Sequence, residues 1–184
     1  MVNIMKITHK ITSTKIPVIH GDLFNFIIDH VNGGNNGCSV IVPHVCNNIN
    51  LFGAGFAAAV ADRFPIVKEN YHLLGSKILG HTQFVEVFKD KTFGHCLIFA
   101  NMISQNSTIS PKNPRPLNYA SLCQSMILVS KFMREKFDKD QSVQIHAPKF
   151  GCGLAGGNWN FVSELIRDIW SNIPVFIYEK NNGN

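Results

Sequence analysis

Residues 143–159 read VQIHAPKFGCGLAGGNW, a run that passes from apolar residues through glycines into a helical segment. Val143–Ala147 predicts a short strand, and the spacing of apolar residues after Asn158 predicts a helix. Four glycines lie in the seven residues 151–157. Because each glycine raises the entropy lost on folding, this composition is costly for a simple connection. Close approach of the backbone to a ligand would compensate for that cost.

A similar turn lies earlier in the chain. Ser39–Val45 predicts a strand, and after several asparagines Gly53–Gly55 leads directly into a predicted helix, Gly55–Phe64, which Pro65 stops. The first amides of such a helix have no partner within it, and the helix dipole adds positive charge, so the turn could bind an anion. A tight connection without a ligand is the alternative for this segment taken alone.

The two glycine-rich loops predict one shared site. In open α/β sheets ligands bind at the carboxyl ends of the strands, so the two loops can face each other across one diphosphate. Neither loop has the spacing of the dinucleotide fingerprint, and no Gly-Lys-Ser/Thr follows either one, which excludes a Walker loop.

Short apolar runs alternate with helix-period segments along the chain, which predicts an α/β sandwich with a largely parallel sheet. The further strands are predicted at Val18–Leu23, Phe84–Phe88, Cys96–Met102 and Val175–Tyr178. Apolar residues recur at three- and four-residue steps in two helices, at Leu122, Cys123, Met126, Ile127, Met133 and Phe137, and at Val162, Leu165, Ile166, Ile169 and Trp170. The segment Ser104–Pro116 contains three prolines and is either an ordered functional loop or a mobile lid.

Composition limits the class of protein. The 184 residues fit one domain, expected over 1–184 with a core of about 15–179, and 45% are hydrophobic against 16% charged. A net charge of +5 favours anionic ligands, but the basic residues are scattered, so we expect no specific nucleic-acid partner. We also expect no metal, no cofactor and a monomer.

The cysteines and the start of the chain indicate the compartment. The five cysteines are odd in number and widely spaced, which argues against a disulfide framework. Residues 1–15 lack a continuous apolar stretch, and no segment has the ~18 apolar residues of a membrane span. We expect a cytoplasmic protein without a membrane partner.

Three motifs together resemble the macro domain. They are Gly21-Asp22-Leu23-Phe24, then His44-x-x-Asn47 followed by Phe52-Gly53-Ala54-Gly55-Phe56-Ala57, and Pro148-x-x-Gly151-Cys152-Gly153-Leu154-Ala155-Gly156-Gly157-x-Trp159. The last resembles the branch that includes ADP-ribose-1''-phosphate phosphatases and the terminal ADP-ribose glycohydrolase. The resemblance implies a three-layer sandwich, with a mixed, roughly six-stranded sheet between helices, and ADP-ribose as the ligand.

The same resemblance implies a role for each motif. Asp22 would accept from the adenine amino group with the Leu23 amide beside it, and Tyr178 would lie against the adenine. Asn47 would reach the distal ribose, with His44 nearby as general acid or base. The residues implied to wrap the diphosphate are Gly53, Ala54, Gly55, Phe56, Gly151, Cys152, Gly153, Leu154, Ala155 and Gly156.

Each of these residues also has a simpler interpretation. Asp22 could be a turn or cap residue, and His44, within an apolar strand, could be a satisfied core histidine. Cys152 could be a nucleophile, although buried small cysteines are common and no histidine adjoins it in sequence.

The chain departs from the glycohydrolase pattern. Where that branch has a lysine and an aspartate, this sequence has Met102 and Ala155, so a lysine–aspartate mechanism is not supported. We therefore expect an enzyme that binds ADP-ribose or its 1''-phosphate and hydrolyses a bond at the distal ribose, as a phosphatase does. The alternatives are a mono-ADP-ribosyl hydrolase and a non-catalytic reader of ADP-ribose, either of which could have an ADP-ribosylated protein as partner.

Overall fold

A computed structural model describes residues 16–33, 37–137 and 141–180. The expectation for residues 1–15 lies outside the described residues, as does most of the turn at 33–37. The elements in chain order are β1 (Val18–His20), α1 (Leu23–Val31), β2 (Ser39–Asn47), α2 (Gly55–Arg63), α3 (Pro65–Leu73), β3 (Thr82–Lys89), β4 (Cys96–Gln105), α4 (Tyr119–Lys136), β5 (Val143–Pro148), α5 (Trp159–Ile169) and β6 (Val175–Glu179).

The strands form one six-stranded sheet in the order β1-β6-β5-β2-β4-β3. All neighbouring pairs are parallel except β3 and β4, which are antiparallel. This arrangement confirms the predicted mixed α/β sandwich. Strand β4 is buried along almost its whole length, as expected for a strand covered on both faces.

Two apolar clusters make the sheet the middle of three layers. On one face α4 and α5 pack on the sheet through residues such as Met126, Ile166 and Trp170. On the other face α1, α2 and α3 pack through residues such as Ile27 and Val60. Trp170 is 2% exposed, and its indole Nε1 donates to the carbonyl of Met126 at 3.0 Å, so its polar atom is satisfied in the core.

The first predicted strand, Val18–Leu23, is wrong in its second half. Strand β1 ends at His20, and Leu23 begins α1, a helix that the sequence analysis did not predict. The carboxylate of Asp22 accepts from the amide of Phe24 at 2.9 Å, so Asp22 is the N-cap of this helix. The apolar run of the helix resembles a buried strand, and periodicity alone does not separate the two.

The predicted stripe of α4 is also corrected at one position. Ile127 is 49% exposed, whereas Val129, absent from the prediction, is fully buried. The helix buries small polar residues as well, including Ser125, whose hydroxyl accepts from that of Ser104 at 3.0 Å. The buried face is therefore wider than the apolar residues alone indicate.

The parallel strands β2, β4 and β5 end at one edge of the sheet, and the long loops leave from that edge. The segment after β4 is held by hydrogen bonds: the Asn106 amide donates to the Pro116 carbonyl at 2.8 Å, and the Ser107 amide donates to Asn48 Oδ1 at 2.8 Å. Of the two predicted alternatives for this segment, these contacts fit the ordered loop. Over the described part of the chain, no helix is long and apolar enough to cross a membrane.

Candidate ligand-binding cleft

A cleft of about 910 Å³ opens at the carboxyl edge of the sheet. Both predicted glycine-rich loops border it, together with the ends of β2 and β5 and one side of α3. Its size matches the usual range of small-molecule sites, roughly 300–1,000 Å³. Of the predicted site residues, those that line it are His44, Asn47, Gly53, Ala54, Gly55, Phe56, Gly151, Gly153, Leu154 and Ala155.

The first loop presents the open end of a helix to the cleft. Ala54 occupies the N-cap position of α2 and provides no side-chain cap. Within the described residues, the amides of Gly55, Phe56 and Ala57 have no protein acceptor. Gly55 has φ +56°, a conformation in which glycine avoids steric strain. An anion in the cleft would supply the missing acceptor for these amides.

The second loop has a similar surplus of donors. The amide of Gly156 donates to Gly153 O at 2.9 Å, and that of Gly157 donates to Gly151 O at 2.8 Å. In the same described segment, the amides of Gly153, Leu154 and Ala155 have no protein acceptor. The loop is therefore folded by its own hydrogen bonds and leaves donors available beside the cleft.

The glycines of the second loop serve different purposes. A Cβ at Gly157 would lie 2.4 Å from the Leu117 side chain, and one at Gly156 would lie 2.7 Å from the Pro114 carbonyl oxygen. These two positions need glycine for close packing. A Cβ at Gly153, in contrast, would meet nothing within 4 Å and would extend into open space beside the cleft.

Asn47 shapes the floor of the first loop. Its Oδ1 accepts from the amides of Ile49 and Leu51 at 3.0 and 3.1 Å, and its Nδ2 donates to the Leu51 carbonyl at 2.6 Å. The buried Tyr71 hydroxyl lies 2.9 Å from the Asn47 carbonyl oxygen and 3.0 Å from Oδ1. Asn47 borders the cleft, but most of its hydrogen-bonding capacity is used to hold this loop.

The Tyr71 hydroxyl is expected to contribute measurably to stability. Substitution Tyr71→Phe removes the donor to Asn47 and should lower the free energy of unfolding by about 1 kcal/mol, the usual net value of one hydrogen bond. Urea denaturation measures the change. An unaltered midpoint would show that Tyr71 acts through ring packing alone.

His44 lies beneath the cleft in an aromatic pocket. Its ring centroid is 5.7 Å from those of Phe52 and Phe56, and the residue is 2% exposed. Among the described residues, its Nε2 and the nearby Asn101 Oδ1 have no hydrogen-bond partner. Burial lowers the pKa of His44 to about 4, an effect that Asn101 only partly offsets. The imidazole is therefore neutral at pH 7, which suits a core histidine better than a general acid.

Cys152 is not placed as a nucleophile. Its side chain is outside the cleft lining, and its Sγ lies 3.5 Å from the Phe150 carbonyl oxygen. Burial raises the pKa of its thiol to about 11, so the nucleophilic thiolate is scarce at neutral pH. None of the five cysteines forms a disulfide.

The residues predicted to hold adenine lie beside the cleft rather than in its lining. Asp22 caps α1, and its second carboxylate oxygen is 3.5 Å from Lys180 Nζ. Leu23 is 3% exposed in the core. Tyr178 is 8% exposed, and its hydroxyl is 3.0 Å from Nδ1 of His146. The adjoining Phe24 ring stacks on Phe56 at 5.3 Å, so the start of α1 contacts the first glycine loop.

The structure adds residues that sequence analysis missed. Lys68 and His72, one helical turn apart on α3, both line the cleft. Three residues at the end of β4 and in the loop after it also line the cleft, namely Gln105, Thr108 and Ile109. The i, i+4 spacing of Lys68 and His72 places them on one helix face, but nothing in the sequence shows that this face turns to the site.

The two positions at which the chain departs from the glycohydrolase pattern lie in different environments. Met102 is fully buried in the core, whereas Ala155 lines the cleft and is 5% exposed. Neither side chain can act in proton transfer. Among the described residues, no group of three His, Cys, Asp or Glu side chains is arranged to hold a metal ion.

Comparisons with known proteins agree with this architecture. No family model matches the chain. An ADP-ribose 1''-phosphate phosphatase from Candida albicans is 26% identical over 166 residues, which cover 89% of this chain and 98% of the relative.

Two solved structures are similar over nearly their whole length. A protein of unknown function from Bacteroides thetaiotaomicron has a TM-score of 0.71 at 26% identity, covering 89% of this chain and 97% of the other. A macrodomain protein from Streptomyces coelicolor has a TM-score of 0.63 at 26% identity, covering 90% and 99%. With the sheet order and the two glycine loops, these likenesses show that the chain has the macro-domain fold.

Proposed function

We propose that this macro domain binds ADP-ribose or a derivative and hydrolyses a bond at its distal ribose, with ADP-ribose 1''-phosphate as the substrate. The observation that carries the proposal is the pair of loops whose unpaired amides border one cleft, at Gly55–Ala57 and Gly153–Ala155. A diphosphate between them would accept from both sets of donors. The phosphatase from Candida albicans supports the choice of substrate.

The contacts around the cleft suggest how the ligand lies. The start of α1, with Asp22, adjoins the first loop through the Phe24–Phe56 stack, and we assign adenine to this end. Asn47, His72 and the loop after β4 also line the cleft, and we assign the distal ribose to this group of residues. Lys149 also lines the cleft near the second loop, where its ammonium is paired with the carboxylate of Glu179 at 2.5 Å.

Catalysis would rest mainly on the positioning of the substrate. The loops hold the diphosphate, which fixes the distal ribose and its phosphate at the far end of the cleft. In this arrangement His44 packs beneath the ligand as a neutral group and forms part of the floor, and Asn47 keeps the first loop in shape.

A non-catalytic reader of ADP-ribose is the second candidate. It is favoured by the burial of His44 and by the inert side chains of Met102 and Ala155. Both candidates predict binding of ADP-ribose, and only the enzyme predicts turnover. Release of inorganic phosphate from ADP-ribose 1''-phosphate, with parallel detection of ADP-ribose, separates them. Binding without phosphate release would support the non-catalytic reader and contradict the enzyme.

The assignment of adenine is tested at Asp22. Asp22→Ala should weaken ADP-ribose binding by about 1.5–3 kcal/mol, the range for a hydrogen bond to a charged group. It should also lower stability by about 1 kcal/mol, because the N-cap of α1 is lost. Asp22→Ser keeps a capping oxygen and is the matched control for stability. Equal affinity of wild type and both variants in calorimetry would remove Asp22 from the site.

We further propose that the chain is one domain acting as a cytoplasmic monomer on a small ligand, without a cofactor. All six described strands, from the first to the last, belong to one sheet, which supports a single domain. The free cysteines are consistent with a reducing compartment. The protein partner compatible with this site is an ADP-ribosylated protein, whose terminal ADP-ribose the same cleft would bind.

A further inference from the structure

A histidine–asparagine pair lies at the end of the cleft assigned to the distal ribose. His72, near the end of α3, has its Nδ1 at 2.8 Å from Oδ1 of Asn50, and both residues line the cleft. His72 is exposed, unlike His44 on the floor. It is therefore the cleft-lining imidazole that a ligand and water can reach.

The contact with Asn50 favours one tautomer of His72. An amide oxygen only accepts hydrogen bonds, so Nδ1 of the neutral ring must carry the proton. Nε2 then has the lone pair and can accept a proton from a water molecule. An imidazole oriented by a second polar side chain through its other nitrogen is the usual arrangement of a general base.

The backbone of Asn50 is held in an uncommon conformation to make this contact. Asn50 has φ +62°, one of two non-glycine residues with positive φ among the described residues. Asparagine adopts this region more readily than most residues, at some conformational cost. Asn47 holds the same short loop through the amides of Ile49 and Leu51. The loop thus keeps the Asn50 side chain directed at α3.

A cation lies beside the pair. Lys68, one turn before His72 on α3, is exposed and also lines the cleft. An ammonium group there would attract a phosphate and balance the charge on the three oxygens of a transferring phosphoryl group. The pair and Lys68 together provide a proton acceptor and an anion-binding group in the lining of one cleft.

We infer that His72, oriented by Asn50, is the general base of phosphate release and that Lys68 binds the phosphate. This rests on the proposed function. Water attacks phosphorus as one of its protons passes to Nε2 of His72; the new P–O bond forms and the bond from phosphorus to the ribose oxygen breaks. The proton on Nε2 then passes to that oxygen. The products are ADP-ribose and hydrogen phosphate, and no oxidant or metal is consumed.

The test is His72→Ala, assayed for phosphate release from ADP-ribose 1''-phosphate and for ADP-ribose affinity by calorimetry. Loss of a general base should lower kcat by about 10²–10⁴-fold, while ADP-ribose affinity changes by less than about threefold. His81→Ala, which removes an exposed histidine outside the cleft lining, is the matched control and should retain wild-type turnover.

Asn50→Gly separates orientation from loop structure. Glycine accepts positive φ, so the loop should keep its shape while the partner of Nδ1 is lost, and kcat should fall about tenfold with unchanged affinity. Imidazole added to His72→Gly should restore part of the lost turnover, which a merely structural role would not allow.

The outcomes distinguish the two claims. Wild-type turnover in His72→Ala would overturn the role of His72 and leave the phosphatase proposal standing. A wild-type protein that binds ADP-ribose and releases no phosphate would overturn both. Equal losses of affinity and turnover in His72→Ala would assign His72 to binding and contradict its role as general base.

Discussion

Gly153→Val is expected to abolish ADP-ribose binding while the fold stays intact. The position has open space around its Cβ and borders the cleft, so the new side chain would occupy the volume assigned to the diphosphate. Loss of two hydrogen bonds to a charged group, each about 1.5–3 kcal/mol, corresponds to at least about a 100-fold loss of affinity. Calorimetry with ADP-ribose measures it, and circular dichroism checks the fold.

Gly75→Val is the matched control for this substitution. Gly75 is exposed, is outside the cleft lining and also has nothing within 4 Å of its Cβ. It should bind ADP-ribose like the wild type. Normal binding by Gly153→Val would show that the second loop is only a connection. The neighbouring Gly156 is unsuitable for this test, because its substitution would collide with the backbone of the 114–115 segment.

Lowering the pH is expected to reduce the free energy of unfolding, and this loss should begin at a pH well above the range in which carboxylates titrate. The pKa of His44 is about 4 in the folded protein against an ordinary value of 6.5, because burial disfavours the imidazolium. Below pH 6.5 the unfolded chain binds this proton and the folded chain does not, so the free energy of unfolding falls until pH 4. The loss is about 3 kcal/mol for His44 alone.

His146 acts in the same direction. It is 3% exposed and stacked on Phe26 at 3.9 Å, and burial, with a smaller contribution from His30, lowers its pKa to about 3. Urea denaturation between pH 7.5 and 4.5 should therefore show a steep loss of stability. His44→Leu should reduce that dependence, since one of the two titrating groups is gone while His146 remains. A stability that is constant from pH 7 to 5 would contradict the burial of both rings as neutral groups.

The sequence predicted the sheet and the glycine loops because each depends on local composition. Apolar runs such as Val143–Ala147 are strands in the structure, and Gly153 faces the cleft as the costly glycine composition suggested. The helix α1 was missed because the run after Asp22 has no charged residue until Asp29, and it therefore resembled a buried strand.

The rest of the cleft depends on contacts distant in sequence. His72 lines it because Tyr71, the adjacent residue, anchors α3 to Asn47 across 24 positions of sequence. His44 lies three residues before the end of β2, and its burial by three phenylalanine rings follows from packing that no local pattern shows. Side-chain direction at a strand end is set by tertiary structure, and sequence spacing alone does not give it.

Isothermal titration calorimetry of the wild-type protein with ADP-ribose is the most direct test of the proposal that the cleft of this macro-domain fold holds ADP-ribose between its two glycine loops. We expect saturable binding of one ligand per chain, with heats absent when adenosine, which lacks the diphosphate, is titrated under the same conditions. No saturable heat with ADP-ribose, or binding of adenosine with equal affinity, would contradict the account.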